Sequence, residues 1–492
     1  MGVPLRKLIE SMNTKKTYGD TDFDINKIEY NSTKIKPGDL FVAIKGFQTD
    51  GHNFINDAIK NGAICVVGEK DQDHNIRAEI LVKDSRMVLA FLSDKFYDSP
   101  SRKLKVIGIT GTNGKTTVSY LLKSILETKE RKIGLIGTIA HYIGDQQVPA
   151  LNTTPESLDL QRMFYQMLEQ GIKYVVMEVS SHSLALKRVE KVDFDVAVFT
   201  NLTQDHLDFH HDMESYKKTK GKLFEMLVKP EDRAVINLDD PNWKYFSKKT
   251  KAPKVTYSLR NKEADVFVEK MNHDLKGLEI RSSTPLGEFE VRLNFIGEQN
   301  VYNALAAIAS SVALGFELEN IRSGLEKARV VSGRLEKINL GQPFDILIDY
   351  AHTPDALERV LITAKELTSG KLIALFGCGG DRDKTKRPIM GKLATRIADY
   401  VIVTSDNPRT ENPSSIIDDI FKGINSKNDI KRIEDRKEAI KQAIDLAKPR
   451  DILVIAGKGH EDYQIIGTKR FHFSDKEAVE EILKGMGYKG ND

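Results

Sequence analysis

The stretch KVIGITGTNGKTTVSYLLKSILE, residues 105–127, decides the reading of the fold. An apolar run ends at Thr110, a glycine turn follows, and an amphipathic pattern begins near Thr116. Strand, tight turn and helix in that order build a parallel sheet covered by crossover helices. Backbone N–H groups in such a turn, with a helix N-terminus behind them, form a concave anion site. Gly111, Thr112, Asn113 and Gly114 read as a cradle for the phosphates of ATP or GTP. Lys115 would add a point charge at the β- and γ-phosphates, and Thr116, followed by Thr117, a hydroxyl ligand for Mg²⁺. Ile109 stands where the usual phosphate loop has its first glycine, so the pattern is reduced to G-x-x-G-K-T.

Outward from this loop, further apolar runs alternate with helical patterns: KIGLIGT (132–138), YVVMEV (174–179), DVAVFT (195–200) and AVINL (234–238). Near-continuous apolar strands between helices are the signature of a parallel sheet buried on both faces. The pattern restarts at DILIDY (345–350), KLIALFG (371–377), YVIVTS (400–405) and DILVIAG (451–457), a second doubly wound unit. Before residue 104, LFVAI (40–44) and AICVV (63–67) mark a smaller block that ends in the polar stretch 97–103, read as a linker. The fold class is therefore α/β in three domains: a small α/β domain over 1–103, a central parallel-sheet phosphate-loop domain over 104–331 and a Rossmann-like domain over 332–492. The run 431–442 reads as a solvated helix face, and Leu305 to Phe316 as a buried helix.

Composition excludes several classes. The 492 residues exceed the roughly 150 of one domain. Lys+Arg 74 against Asp+Glu 71 leaves +3, too balanced to point to a nucleic-acid or membrane partner. Two cysteines, Cys65 and Cys378, support neither a disulfide framework nor a thiolate metal site. No apolar run reaches the roughly 20 residues that span a bilayer, and the N-terminus lacks a signal-peptide core. A cytoplasmic location and, by default, a monomer are expected.

Around the loop, Glu178 ends a strand-like run, where a buried carboxylate calls for a metal or partner. NLTQDHLDFHHD (201–212) is rich in His and Asp but lacks a zinc spacing, and His206, nearest the strand end, is its best candidate. Asn300 and Asn303 lie three apart, on one helix face.

Ten motifs then stand in one order: TGTNGKTT (110–117), NTTP (152–155), MEVSSHSL (177–184), NLTQDHLDFH (201–210), the Tyr216–Lys220–Leu223–Phe224 spacing, SGRLEKI (332–338), DYAHTPDAL (349–357), FGCGGDRDKTKRP (376–388), SDNPRTENP (405–413) and AGKGHEDYQ (456–464). Together, and over all three blocks, they resemble the ATP-dependent Mur ligases of bacterial cell-wall synthesis. The resemblance implies phosphorylation of a UDP-linked peptide's terminal carboxylate by ATP, attack of an amino acid's amine on the acyl phosphate, and release of phosphate. It implies Thr116, Glu178 and His206 as magnesium ligands, and Lys220 as a lysine carbamylated by CO₂, with Lys218 and Lys222 as alternatives. It places Asn300, Arg334 and Asp349 at the nucleotide. It assigns the UDP-substrate to the first block with Ser32, Asn152, Thr153, Thr154, Ser180 and Arg188, although Asn31 and Thr33 flank Ser32 where the family often has Asp and Arg.

The motifs are most similar to the branch adding the third peptide residue, implying UDP-N-acetylmuramoyl-L-alanyl-D-glutamate and meso-diaminopimelate as the small-molecule partners beside ATP. Arg409 in the set Asp406, Asn407, Pro408, Arg409 offers a planar fork for the far carboxylate that distinguishes diaminopimelate from L-lysine. Arg382, Gly457 and Glu461 complete that expected pocket. A lysine-adding relative, a folate-type amide ligase and a nucleotide switch are the competing readings.

Overall fold

The structure is a computed structural model, and it describes residues 2–46, 49–71, 74–425 and 429–490. Among these residues three large sheets carry most of the strands. The parallel heart of the central sheet runs, in spatial order, Gly134–Ile136, Tyr174–Glu178, Lys105–Thr110, Val196–Phe199, Arg233–Asn237 and Lys254–Ser258. Side chains alternate between the faces of each strand. Ile107, Ile109, Val176 and Val198 pack with helices Lys115–Leu126 and Glu298–Ala313, while Val106, Met177, Ala197 and Phe199 pack with Ser157–Glu169 and Met213–Glu225. Each such aliphatic side chain contributes roughly 1.5–3 kcal/mol on burial, which is why the strands read as continuous apolar runs.

The expectation of a wholly parallel central sheet is corrected at its edges. Ala140–Ile143 and Gln146–Pro149 add an antiparallel hairpin on one side, and Val266–Asp274, Gly277–Thr284 and Gly287–Leu293 form a meander on the other. The connections of two residues are too short for a helical crossover, so these strands reverse. Their half-buried alternation lacked the long apolar runs by which the heart was recognised.

The first block holds a five-stranded sheet, its order Thr14–Gly19, Ala78–Val82, Ala63–Gly68, Asp39–Val42, Ile28–Glu29, with the first strand antiparallel. The last block holds a six-stranded sheet ordered Glu336–Ile338, Asp345–Asp349, Ile452–Ala456, Leu372–Phe376, Tyr400–Val403, Asp429–Arg432, again with an antiparallel first strand. The stretch 97–103 is no free linker: Pro100 and Ser101 are buried in a 3₁₀ turn, and Ser101 Oγ accepts from Asp193 N at 3.1 Å. Nor is 431–442 one solvated helix. It ends an edge strand and enters helix Arg436–Leu446, whose Arg436 is buried against Asp475. Helix Glu298–Ala313 is buried as its Ala-rich sequence suggested. No helix among the described residues is long and apolar enough to cross a membrane.

This order creates the site. The phosphate-loop strand lies between Tyr174–Glu178 and Val196–Phe199, and the chain visits one side of it before the other. Ligands of open α/β sheets bind outside the carboxyl ends of strands at such a reversal, where Gly111, Glu178 and Thr200 emerge.

Candidate active site

The phosphate loop is held open by its glycines. Gly111 has φ +151° and Gly114 φ +88°; a Cβ would lie 1.9 Å from Thr200 Oγ1 at the first and 2.4 Å from Asn303 Oδ1 at the second. Thr112 N donates to Asn201 O (2.9 Å), and Asn113 N donates to Asn201 Oδ1 (2.9 Å). Lys115 begins the helix, and its Nζ donates to Gly111 O and Thr112 O, both at 2.8 Å. Burial lowers the pKa of this ammonium, against Glu178 and Asp205, so a polyphosphate in its place gains an under-satisfied cation.

Glu178 is fully buried, at 0% exposure, yet no cation is bonded to it among the described residues. Its Oε2 accepts from Thr116 Oγ1 and Thr138 Oγ1, each at 3.0 Å, and its Oε1 from Thr138 N at 2.9 Å. A buried carboxylate held by hydroxyls beside a phosphate loop is a hard-oxygen donor set of the kind Mg²⁺ takes, with few protein ligands and the rest from phosphate and water. Arg334 NH2 reaches Thr116 Oγ1 at 3.3 Å from the C-terminal block. Asp349 accepts from Leu335 N and Ala351 N, both at 2.8 Å. A cavity of about 350 Å³ is lined by Asn113, Gly114, Thr116, Thr117, Asn300, Asn303, Arg334 and Asp349 together with Tyr257 and Asp239. Of the asparagines, Asn300 caps Ile296 O (2.8 Å) and accepts from Asn303 Nδ2 (2.8 Å), while Asn303 faces the loop at Gly114.

Among the lysines of helix Met213–Glu225, Lys220 alone is buried, at 1% exposure, and its Nζ donates to Gly111 O at 2.8 Å. Lys218 and Lys222 point to solvent. Burial and the neighbouring Lys115 lower the pKa of Lys220 far below that of a free lysine. His206 packs edge-on to His182 and pairs through Nε2 with Asp205 Oδ2 at 3.3 Å. Burial lowers its pKa, so the imidazole is neutral. Among the described residues no three or more His, Cys, Asp or Glu side chains are grouped so as to hold a metal ion.

A second cleft, about 860 Å³, lies between the first and central blocks and is lined by Ser32, Thr33, Asn152 and Arg188 among others. Thr153 and Thr154 lead from it to the loop: Thr153 Oγ1 meets Thr138 Oγ1 at 3.0 Å, and Thr154 Oγ1 donates to Glu178 O at 2.8 Å. Ser180 N donates to Thr154 Oγ1 (3.2 Å), and Arg188 NH1 to Thr154 O (3.0 Å).

In the C-terminal sheet, Asp349, Arg382, Asp406–Arg409 and Gly457–Glu461 all follow the carboxyl ends of strands. Arg409 has φ +51°, stabilised because its N donates to Ile465 O (3.0 Å) and its O accepts from Gly467 N (2.7 Å). Its NH1 donates to Gly380 O at 2.7 Å, and Arg382 NH1 to Asp381 O at 2.9 Å. Among the described residues neither guanidinium has a carboxylate within ion-pair distance, and burial plus the charge of Arg382 disfavour the cation of Arg409. Pro408 O accepts from Glu411 N (3.1 Å), Gly457 N donates to Asp349 O (3.1 Å), and Glu461 accepts from Asn407 Nδ2 (2.8 Å).

Comparison with known proteins meets this geometry. Three family models match in succession: "Mur ligase family, catalytic domain" over 24–97, "Mur ligase middle domain" over 109–311 and "Mur ligase, glutamate ligase domain" over 333–459. The chain belongs to the Mur ligase family. It is 48% identical, over 94% of its length and 96% of the relative's, to a UDP-N-acetylmuramoyl-L-alanyl-D-glutamate–2,6-diaminopimelate ligase of Caldanaerobacter subterraneus. A ligase of that activity from Clostridium acetobutylicum is 46% identical over 98% of this chain and 99% of its own. A solved structure of such a ligase matches with TM-score 0.70 and 32% identity, covering 99% of this chain and 100% of that one.

Within this Mur ligase, several groups at the site escaped the sequence reading. Asp355 Oδ2 accepts from Asn113 Nδ2 at 2.9 Å, joining the C-terminal block to the phosphate loop. Tyr257 and Asp239 line the cavity beside the phosphate loop from an edge whose strands carried no motif. Thr138 binds Glu178 from a turn that nothing in its local sequence singled out. Such contacts join segments far apart in the chain, and only the closed fold brings them together.

Proposed function

We propose that this protein is an ATP-dependent ligase that joins meso-2,6-diaminopimelate to UDP-N-acetylmuramoyl-L-alanyl-D-glutamate, in peptidoglycan precursor synthesis. The observation that carries the amino-acid assignment is the pair Arg382 and Arg409, two neighbouring cations without a carboxylate partner at the strand ends of the C-terminal sheet. The half-buried Arg409 and the exposed Arg382 beside it lack a carboxylate partner among the described residues, and a planar carboxylate matches a guanidinium's fork; diaminopimelate brings one beyond the end of lysine.

The reaction follows from the arrangement. ATP lies in the cavity with its phosphates on the N–H groups of 111–117 and on Lys115. Thr116, Glu178 and His206 would hold Mg²⁺, whose charge offsets that of the phosphates. The peptide substrate occupies the cleft lined by Ser32, Asn152 and Arg188, and the chain of Thr154, Thr153 and Ser180 guides its carboxylate toward the loop. That carboxylate attacks the γ-phosphorus, the bond to the β-phosphate oxygen breaks, and ADP leaves. The amino group of diaminopimelate, having lost its proton, attacks the acyl carbon; the tetrahedral intermediate collapses with departure of phosphate. Arg334 contributes its charge from the C-terminal block.

Lys220 is proposed to react as the neutral amine with CO₂, forming an N–C bond and releasing a proton to water. The resulting carbamate would replace a costly buried cation by an anion facing Lys115. The reading is supported by the amine's complete burial and its lack of a carboxylate partner among the described residues.

The direct test is ADP formation with product mass analysis. The expected product is the UDP-linked tripeptide, formed only when ATP, the UDP-dipeptide and diaminopimelate are all present. ADP formation independent of the UDP-dipeptide would contradict the reading.

A further inference from the structure

Glu461 lies in the expected amino-acid pocket, and the lysine three residues before it has no part in the proposed reaction. Lys458 is completely buried, at 0% side-chain exposure. Its Nζ lies 3.2 Å from Glu461 Oε2 and 3.3 Å from Asn407 Oδ1. Asn407 Nδ2 donates to the same Glu461 Oε2 at 2.8 Å. The orientation of that amide is set by the backbone, since Asn407 Oδ1 also accepts from Ile465 N at 2.9 Å. A turn in which Glu461 N donates to Lys458 O (2.9 Å) fixes the spacing of the pair.

We propose that Lys458 is a positioning residue for the incoming amino acid: from beneath the pocket it fixes Glu461 through one carboxylate oxygen and leaves the other for the ligand's ammonium group. The other oxygen, Oε1, accepts among the described residues from the Tyr463 hydroxyl alone, at 3.4 Å. Two further observations carry this. First, a buried ion pair is poor evidence of stability, because the desolvation of both ions offsets their attraction, so a wholly buried ammonium in this place calls for another reason. Second, among the described residues Glu461 has no ion pair other than that with Lys458. The groups facing it are Asp406, Arg409, Arg436, Tyr350 and Tyr463 besides Lys458. Arg436 is committed to Asp475 through bonds of 2.7 and 2.8 Å, and Arg409 turns to Gly380 O. Burial first and then the Asp406 carboxylate raise the pKa of Glu461, and Lys458 and Asn407 act in the opposite direction.

The inference rests on the proposed activity, and the test separates the two. Steady-state kinetics are measured on the full chain with ATP, the UDP-dipeptide and diaminopimelate, comparing the wild type with Lys458→Met, Glu461→Gln and the double variant. Lys458→Met is expected to raise KM for diaminopimelate about 10- to 100-fold, in line with hydrogen bonds to charged groups. KM for ATP and for the UDP-dipeptide should stay within about 2-fold. In the Glu461→Gln background the Lys458 substitution should add little. Lys458→Gln, which keeps hydrogen bonding and loses the charge, carries the same selective effect at smaller size. A uniform change in all three KM values, a fall in kcat alone, additive effects of Lys458 and Glu461, or loss of folding in both Lys458 variants would overturn the inference and leave the activity standing. A wild-type protein without diaminopimelate turnover would overturn both.

Discussion

The phosphate-loop region and the amino-acid pocket differ in how their charges are arranged. At the loop, Glu178 is held by hydroxyls and a backbone N–H, and the nitrogens of Lys115 and Lys220 by carbonyl oxygens, so these groups rest on neutral dipoles between helices and strands. In the pocket, Arg382 and Arg409 stand beside each other on loops, while Glu461 is held by Lys458 and Asn407. The first arrangement suits charge that comes and goes during a reaction, because its dipoles need not reorganise. The second suits recognition, because the half-buried Arg409, beside a second cation, favours a ligand that brings the matching anion. On the proposed function, chemistry belongs to the central sheet and selectivity to the loops of the last.

The comparison breaks most readily at Glu178. Glu178→Gln keeps the hydrogen-bonding shape and removes the charge, and kcat is expected to fall by about 10³-fold or more with the fold intact by circular dichroism. A loss below 10-fold would remove this carboxylate from the chemistry. Next in size, Arg409→Ala should lower kcat/KM for diaminopimelate by about 10²- to 10³-fold. KM for ATP should change little, which separates pocket from loop.

Stability sharpens the same contrast. Arg387 is fully buried and bonded to Glu411 (2.9 and 3.0 Å) and Asp419 (3.0 Å) under the loops of the pocket. Arg387→Met removes the buried cation shared by two carboxylates that keep Lys384 (3.0 Å) and Lys422 (2.6 Å), and should destabilise the protein by about 1–3 kcal/mol, read as a lower denaturant midpoint. Smaller still is the pH effect at Glu411. Its hydrogen bond with Arg387 outweighs burial and lowers its pKa from 4.5 to about 2. A depressed carboxyl pKa adds stability above 4.5 that is lost as pH falls toward about 2. Thermal midpoints across that window should drop less steeply in Glu411→Gln than in the wild type.

The parts legible in sequence were those whose physics is local. The strand–turn–helix at 105–127, the buried strands and the loops after them follow from apolar runs and turn residues a few positions apart. The burial of Lys220 was not local: four lysines share its helix segment, and only the packing of Met213–Glu225 against the loop separates one from the rest. The antiparallel edges escaped because half-buried strands alternate weakly, and the 97–103 stretch because a polar turn packed under a neighbour looks like a free one. Of the asparagines on one helix face, the structure gives capping to Asn300 and the approach to the loop to Asn303, a distinction that depends on the position of a turn 189 residues away.

The most direct test of the account is relative kcat/KM for meso-diaminopimelate and L-lysine, measured side by side in the wild type and in Arg409→Ala. The account predicts strong preference for diaminopimelate in the wild type and a collapse of that preference, by loss of diaminopimelate turnover rather than gain for lysine alone, in the variant. Equal use of both amino acids by the wild type, or a preference that survives Arg409→Ala, would contradict it.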